Sequence, residues 1–227
     1  ASDLNCCPAQ SCLWLRGIVP KSWTFTPKTA EPTTQSFGHY RQPVVGLDIF
    51  LDGSGGAHTK DPRVRRCGWA WIQSHYDIQA DERYVWGQFG DIPEQRMVPR
   101  AEMYAAMKFL QSIIDNEIPA SILNIYTDGA YVIKGWLDRM HAYRGKHGRL
   151  WKRIWENIDK IREHDIDIQF HKVKSHTGEA EIAAGIITRD QQIGNSLADE
   201  LARGGADIDE VAERQINLIR WIDATAW

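Results

Sequence analysis

Val44-Val45-Gly46-Leu47-Asp48-Ile49-Phe50-Leu51 runs directly into Asp52-Gly53-Ser54-Gly55-Gly56. The first eight residues have strand length and β-branched content, and the glycine-serine run stops them as a turn would. The pair reads as a buried strand that delivers a carboxylate, Asp52, at its carboxyl end. Downstream, Cys67 to Ile72 and Tyr84 to Phe89 read as two more strands at meander spacing. Pro99 opens a helix at a position where its missing N–H costs nothing, and Ala101, Tyr104, Ala105, Lys108 and Phe109 continue it. Leu123 to Thr127 is a short strand that again ends at an acid, Asp128. Helices follow over Ala130–Met140 and Leu150–Glu163, the latter with Leu150, Ile154, Ile158 and Ile161 on one face. Ile166 to Val173 alternates as a strand, and Ile193 to Arg203 is a helix that Gly204-Gly205 should close. The order βββαβααβα predicts an α/β fold: a mixed five-stranded sheet, three antiparallel strands and then parallel ones, flanked by helices.

The 227 residues divide into three parts. Residues 1–43 hold five prolines among many Ser and Thr and read as an irregular leader, with Trp14, Trp23 and Phe25 as candidate surface anchors. Residues 44–206 form the folded domain, and 207–227 a helical tail with Val211, Ile216, Ile219 and Trp221 on one face. A start at Ala1 fits an excised piece of a longer polypeptide, and fits tag removal or processing equally. Cys6, Cys7, Cys12 and Cys67 lack zinc-ribbon spacing and read as unpaired thiols of a reducing compartment. The sequence has no apolar run of about 20 residues and no signal peptide, so the expected location is intracellular, cytoplasm or nucleus, without membrane contact. Net charge is −3, which excludes a uniformly cationic binder. From Lys134 to Lys174, however, eleven Lys or Arg face six Asp or Glu, a local excess suited to a phosphate backbone.

Asp52 and Asp128 sit at strand carboxyl ends, while Glu102 and Asp199 sit on Ala- and Leu-rich helices. Acids gathered at strand ends are costly unless cations neutralise them, and all-oxygen ligation suits Mg²⁺ or Mn²⁺. Four strings, Leu51-Asp52-Gly53-Ser54, Arg100-Ala101-Glu102, Tyr126 to Val132 around Asp128, and Asn195 to Ala202 around Asp199, resemble the motif blocks of type 1 ribonuclease H. Val173-Lys174-Ser175-His176-Thr177-Gly178 resembles that family's catalytic-loop histidine block. Five blocks in the family's order span about 160 residues.

The resemblance implies an endonuclease that hydrolyses the RNA strand of RNA·DNA hybrids by a two-metal-ion mechanism, leaving 5′-phosphates. Asp52 would bridge two Mg²⁺ or Mn²⁺ ions, Glu102 and Asp128 would complete one site and Asp199 the other. His176 would assist the attacking water or product departure. Gly53, Ser54 and Gly55 would approach the RNA 2′-OH, and Arg100, Lys146, Arg149, Arg153 and Lys174 would contact the nucleic acid. Asp48 reads as a supporting acid, and Trp136, Trp151 and Trp155, at helical spacing, as core. Three features depart from the family. Met97-Val98-Pro99 replaces its paired asparagines, Asp128-Gly129 its Asp-Ser, and the long basic handle is absent. Glu179–Gln191 also reads as an insertion before Asp199. Two other readings stay open: a weak or inactive nucleic-acid-binding module of a larger polyprotein, and a transposase- or integrase-type nuclease. A retroelement domain partnered by a reverse transcriptase and a free-standing cellular enzyme fit equally.

Overall fold

The computed structural model describes residues 32–38, 47–77, 79, 81–93, 97–116, 121–175 and 177–226. Six strands form one sheet: β1 (Thr34–Phe37), β2 (Leu47–Ser54), β3 (Gly68–Asp77), β4 (Glu82–Asp91), β5 (Ile122–Thr127) and β6 (Asp167–Lys172). Their order across the sheet is β1-β4-β3-β2-β5-β6. β1 to β4 pair antiparallel, and β2, β5 and β6 run parallel. The predicted mixed sheet is therefore present with one strand more than the five expected. The extra strand lies in the stretch read as irregular leader: Thr34–Phe37 adds to the edge at β4, against Gly87–Gly90. Trp14, Trp23, Phe25 and the first three cysteines lie outside the described residues.

Helices cover both faces because β2 is apolar on both. Ile49 and Leu51 are fully buried in the large core with Met103, Phe109 and Leu110 of α1 (Val98–Asp115) and Trp151, Ile154 and Ile158 of α4 (Gly148–Arg162). Phe50, one residue out of phase, is buried on the opposite face with Ile72 and with Ala198 of α6 (Arg189–Asp207). The predicted helix over Ala130–Met140 is two, α2 (Ala130–Leu137) and α3 (Arg139–Arg144). The break falls at Asp138, whose side chain turns back to accept the His141 N–H at 2.9 Å and caps α3. Trp151 and Trp155 are core residues, and Trp155 stacks on Trp136 at 5.2 Å.

The stretch before Asp199 read as an insertion, Glu179–Gln191, forms the short α5 (Glu179–Ala183) and the first residues of α6. There Thr188 and Gln191 cap one another, each side-chain oxygen accepting the other's backbone N–H at 3.1 Å. α6 then runs through Gly204-Gly205 instead of stopping there. Gly205 serves close approach, not termination: a Cβ there would lie 2.5 Å from the Gly90 carbonyl oxygen, just as one on Gly68 would lie 2.1 Å from the Ala206 nitrogen. The backbone of α6 thus rests directly on β3 and β4.

Beyond α6, helix α7 (Glu213–Ala226) packs back on the loop between β2 and β3. Val64 of that loop is buried with Val211, Ile216 and Ile219. Ile222 is also fully buried, whereas Trp221, expected on the same face, is half exposed. Arg63 bridges Asp61 and Asp223 at 2.8 and 2.6 Å, and Arg66 pairs with Asp209 at 3.1 Å with both side chains buried.

Candidate active site

Leu51 of β2 pairs in parallel register with Thr127 of β5, so the residues that follow them, Asp52 and Asp128, emerge side by side. Glu102 reaches the same place from the second turn of α1. That helix comes close because Gly53 has no side chain: a Cβ there would lie 2.3 Å from the Glu102 nitrogen. Asp199 arrives from the other face on α6. One pocket of about 300 Å³ is lined by all four acids, by Gly53–Gly56 and Thr59, and by Asn195 and Arg203. Gly53, Ser54 and Gly55 thus border the acids.

Crowding and burial shape the electrostatics. Burial pushes the Asp52 carboxyl up to about 7, and the charges of Asp128 and Asp199 add to that. Burial likewise pushes Glu102 up to about 8, with Asp128 and Asp52 as the next causes. Asp52 accepts the Gly53 N–H at 2.7 Å, and Asp199 accepts from Arg203 at 2.5 Å. The departure at Gly129 also has a geometric role. A Cβ there would lie 2.6 Å from Glu102 Oε2, so the glycine makes room for that carboxylate.

An acid whose pKa rises on folding binds its proton more tightly in the folded chain than in the unfolded one. Its contribution to stability is then greatest below the unfolded value and is lost as pH climbs through the folded value. For Asp52 that window runs from the ordinary 3.8 to about 7. Asp52→Asn is expected to stabilise the metal-free protein by about 1–2 kcal/mol at about pH 8, a gain that shrinks as pH falls towards about 4. Urea unfolding of both proteins across this range measures it; a gain independent of pH would place Asp52 apart from the crowded acids.

The all-oxygen, partly buried donor set has the chemistry of a hard-cation site. As the side chains stand, no three His, Cys, Asp or Glu among the described residues are arranged to hold an ion. Asp52 is turned onto its own turn and Asp199 onto Arg203, and a side-chain rotation would release either.

The other expected residues have different surroundings. Arg100 packs over Tyr104, and its buried Nε has no hydrogen-bond partner. Lys146, Arg149 and Arg153 are exposed on or before α4. Lys174 is held by Glu181 at 2.9 Å. Asp48 is half buried beside Asn124 and Tyr126 and does not line the acid pocket. His176 lies outside the described residues.

Sequence reasoning did not single out Asn195 and Arg203, which line the pocket, or the buried His147. His147 is 5% exposed, its Nδ1 has no partner, and burial with the charges of Arg100 and Lys146 holds its pKa below the ordinary value. Nothing in the linear sequence marks it. Arg203 could have been found, since it stands four residues after Asp199 on one helix face.

The chain belongs to the RNase H family, whose sequence profile matches residues 47–207. Among solved structures it is similar to LC9-RNase H1, described as a type 1 RNase H with the type 2 active-site motif. That match has a TM-score of 0.54 and 14% identity, covering 82% of this chain and 87% of that one. The PFV RNase H domain matches with TM-score 0.53 and 22% identity over 71% of this chain and 94% of that one. The prototype foamy virus protease-reverse transcriptase matches with TM-score 0.51 and 22% identity, covering 74% of this chain and 22% of the other. At these identities the likeness shows the fold. A search of the curated proteins finds no significant match. Among the described residues, no helix is long and apolar enough to cross a membrane.

Proposed function

We propose that this chain is an endonuclease that hydrolyses the RNA strand of RNA·DNA hybrids with two divalent cations, Mg²⁺ or Mn²⁺. The observation that carries the reading is the single pocket shared by Asp52, Glu102, Asp128 and Asp199 in a chain of the RNase H family. Bound cations would supply activation of water and neutralise charge growing on the leaving 3′-oxygen. The protein's part is to hold charge and geometry. Asp52, central and close to Asp128 and Asp199, would hold the cations together with Glu102, Asp128 and Asp199. Gly53 to Gly55 keep the wall low enough for a ribose to approach, and His176 assists the attacking water or product departure. Arg100 and Lys146, whose charges meet at the neutral His147, supply positive charge that suits phosphate, and Arg149, Arg153 and Lys174 are further cations for the nucleic acid.

Labelled RNA·DNA hybrid, RNA duplex and DNA duplex, each with Mg²⁺, Mn²⁺ or chelator, test this directly. The expected result is metal-dependent cutting of the hybrid alone, leaving 5′-phosphates. Equal cutting of DNA duplex would point instead to a transposase- or integrase-type nuclease. Tight hybrid binding without cutting would favour the binding-module reading, which the Asp199–Arg203 pair and the Met97-Val98-Pro99 replacement support.

Exposed Lys146, Arg149 and Arg153 should govern affinity rather than chemistry. Neutralising all three is expected to weaken hybrid binding and to lower the log–log salt slope by roughly 0.7–0.9 per lost phosphate contact. A slope unchanged in fluorescence anisotropy would turn this face away from the hybrid. The foamy virus likeness suits a retroelement domain working beside a reverse transcriptase inside the cell; a free-standing enzyme fits the same site.

A further inference from the structure

We propose that Arg203 is a positioning residue that holds Asp199 until a divalent cation takes it, and then turns to the substrate phosphodiester. This rests on the hydrolase reading above and concerns how the same site is loaded. Arg203 Nη2 donates to Asp199 Oδ2 at 2.5 Å, and both residues line the acid pocket. Asp199 is therefore shared, since it also acts on Asp52 through charge and a side-chain hydrogen bond. The Asp199 side chain is 28% exposed, whereas that of Arg203 is 59% exposed, so the guanidinium can swing away without unpacking α6.

Charge balance gives the swing a destination. Four ionised carboxylates match two divalent cations and leave nothing for the single negative charge of a phosphodiester. Arg203 is the cation that the described residues place in the pocket lining, so once displaced it supplies that charge. A guanidinium also suits phosphate geometry, offering two parallel N–H donors. The same side chain thus opposes metal loading and favours substrate binding, and removing it should move the two in opposite directions.

Calorimetric titration of Mn²⁺ into the full chain, alongside steady-state cleavage of a labelled hybrid at saturating Mn²⁺, tests both halves. Arg203→Ala is expected to bind Mn²⁺ about three- to tenfold more tightly, since it loses a competitor and a neighbouring like charge. Its KM for hybrid should rise about tenfold with kcat within about threefold, the split expected for lost ground-state binding. Arg203→Lys keeps the charge and should stay within about twofold of wild type for Mn²⁺. Equal or weaker Mn²⁺ binding by Arg203→Ala overturns the latch, and an unchanged KM overturns the transfer to phosphate. Wild-type protein that binds Mn²⁺ but cuts no hybrid would sink the hydrolase reading instead, and the Mn²⁺ comparison would still decide the latch.

Discussion

Asp128→Asn is expected to lower hybrid cleavage by about 10³-fold or more while leaving hybrid affinity within a few-fold of wild type. Loss even of a group that only orients a metal ligand typically costs 10–100-fold, and Asp128 would be a ligand itself. The amide keeps the side chain's volume and removes the charge, so packing at the end of β5 is undisturbed. The charge matters twice, because Asp128 also contributes to the raised values of both Asp52 and Glu102. The variant should therefore also be more stable than wild type in chelator above neutral pH. Single-turnover cleavage and anisotropy binding, run side by side, check the expectation; cleavage at the wild-type rate would remove Asp128 from the site.

Gly68→Ala is expected to destabilise the fold by about 3 kcal/mol or more, a size reserved for overpacking or strain in a core. The added methyl would lie 2.1 Å from the Ala206 nitrogen and 2.2 Å from the Ala202 carbonyl oxygen. Both are backbone atoms of α6, so no side-chain rotation relieves the clash and the helix must lift from β3. Asp199 rides on that helix, so metal-dependent activity should fall along with stability. Gly204→Ala is the matched control: its Cβ would meet only Phe89 Cε2, at an ordinary 3.7 Å. Thermal melts of the two variants separate a local contact from a general intolerance of α6 to alanine; equal Tm values would refute the close packing.

These glycines also show where a linear reading reaches its limit. Gly204-Gly205 carries the signature of a helix stop, and only the approach of β4 reveals that Gly205 is there for clearance. The Val44-to-Gly56 stretch was easier, because an apolar run and a turn have few other structural uses. Asp52, Glu102 and Asp128 could be picked out because each stands at the end or start of a strongly patterned element. Thr34–Phe37 could not, since an exposed four-residue edge strand has no buried face to impose alternation. The burial of His147 was invisible for a related reason: it comes from packing near Arg100, 47 positions earlier in the chain. The pairing of Arg203 with Asp199 lay within reach, as a helix places residues four apart on one side.

The links from the β2–β3 loop to the tail bear on when the pocket can be completed. Arg63 meets Asp223 across 160 residues, and Arg66 meets Asp209 across 143. The loop that they brace supplies Gly55, Gly56 and Thr59 to the pocket wall. At typical synthesis rates, the tail leaves the ribosome roughly 10–30 s after this loop does. Contacts so distant in sequence carry a large loop-closure entropy and form late in folding. A nascent chain can thus pair β2 with β3 and bring Asp52 to its place while this wall is still unbraced. The pocket should therefore be completed after the sheet, when α7 docks on this loop.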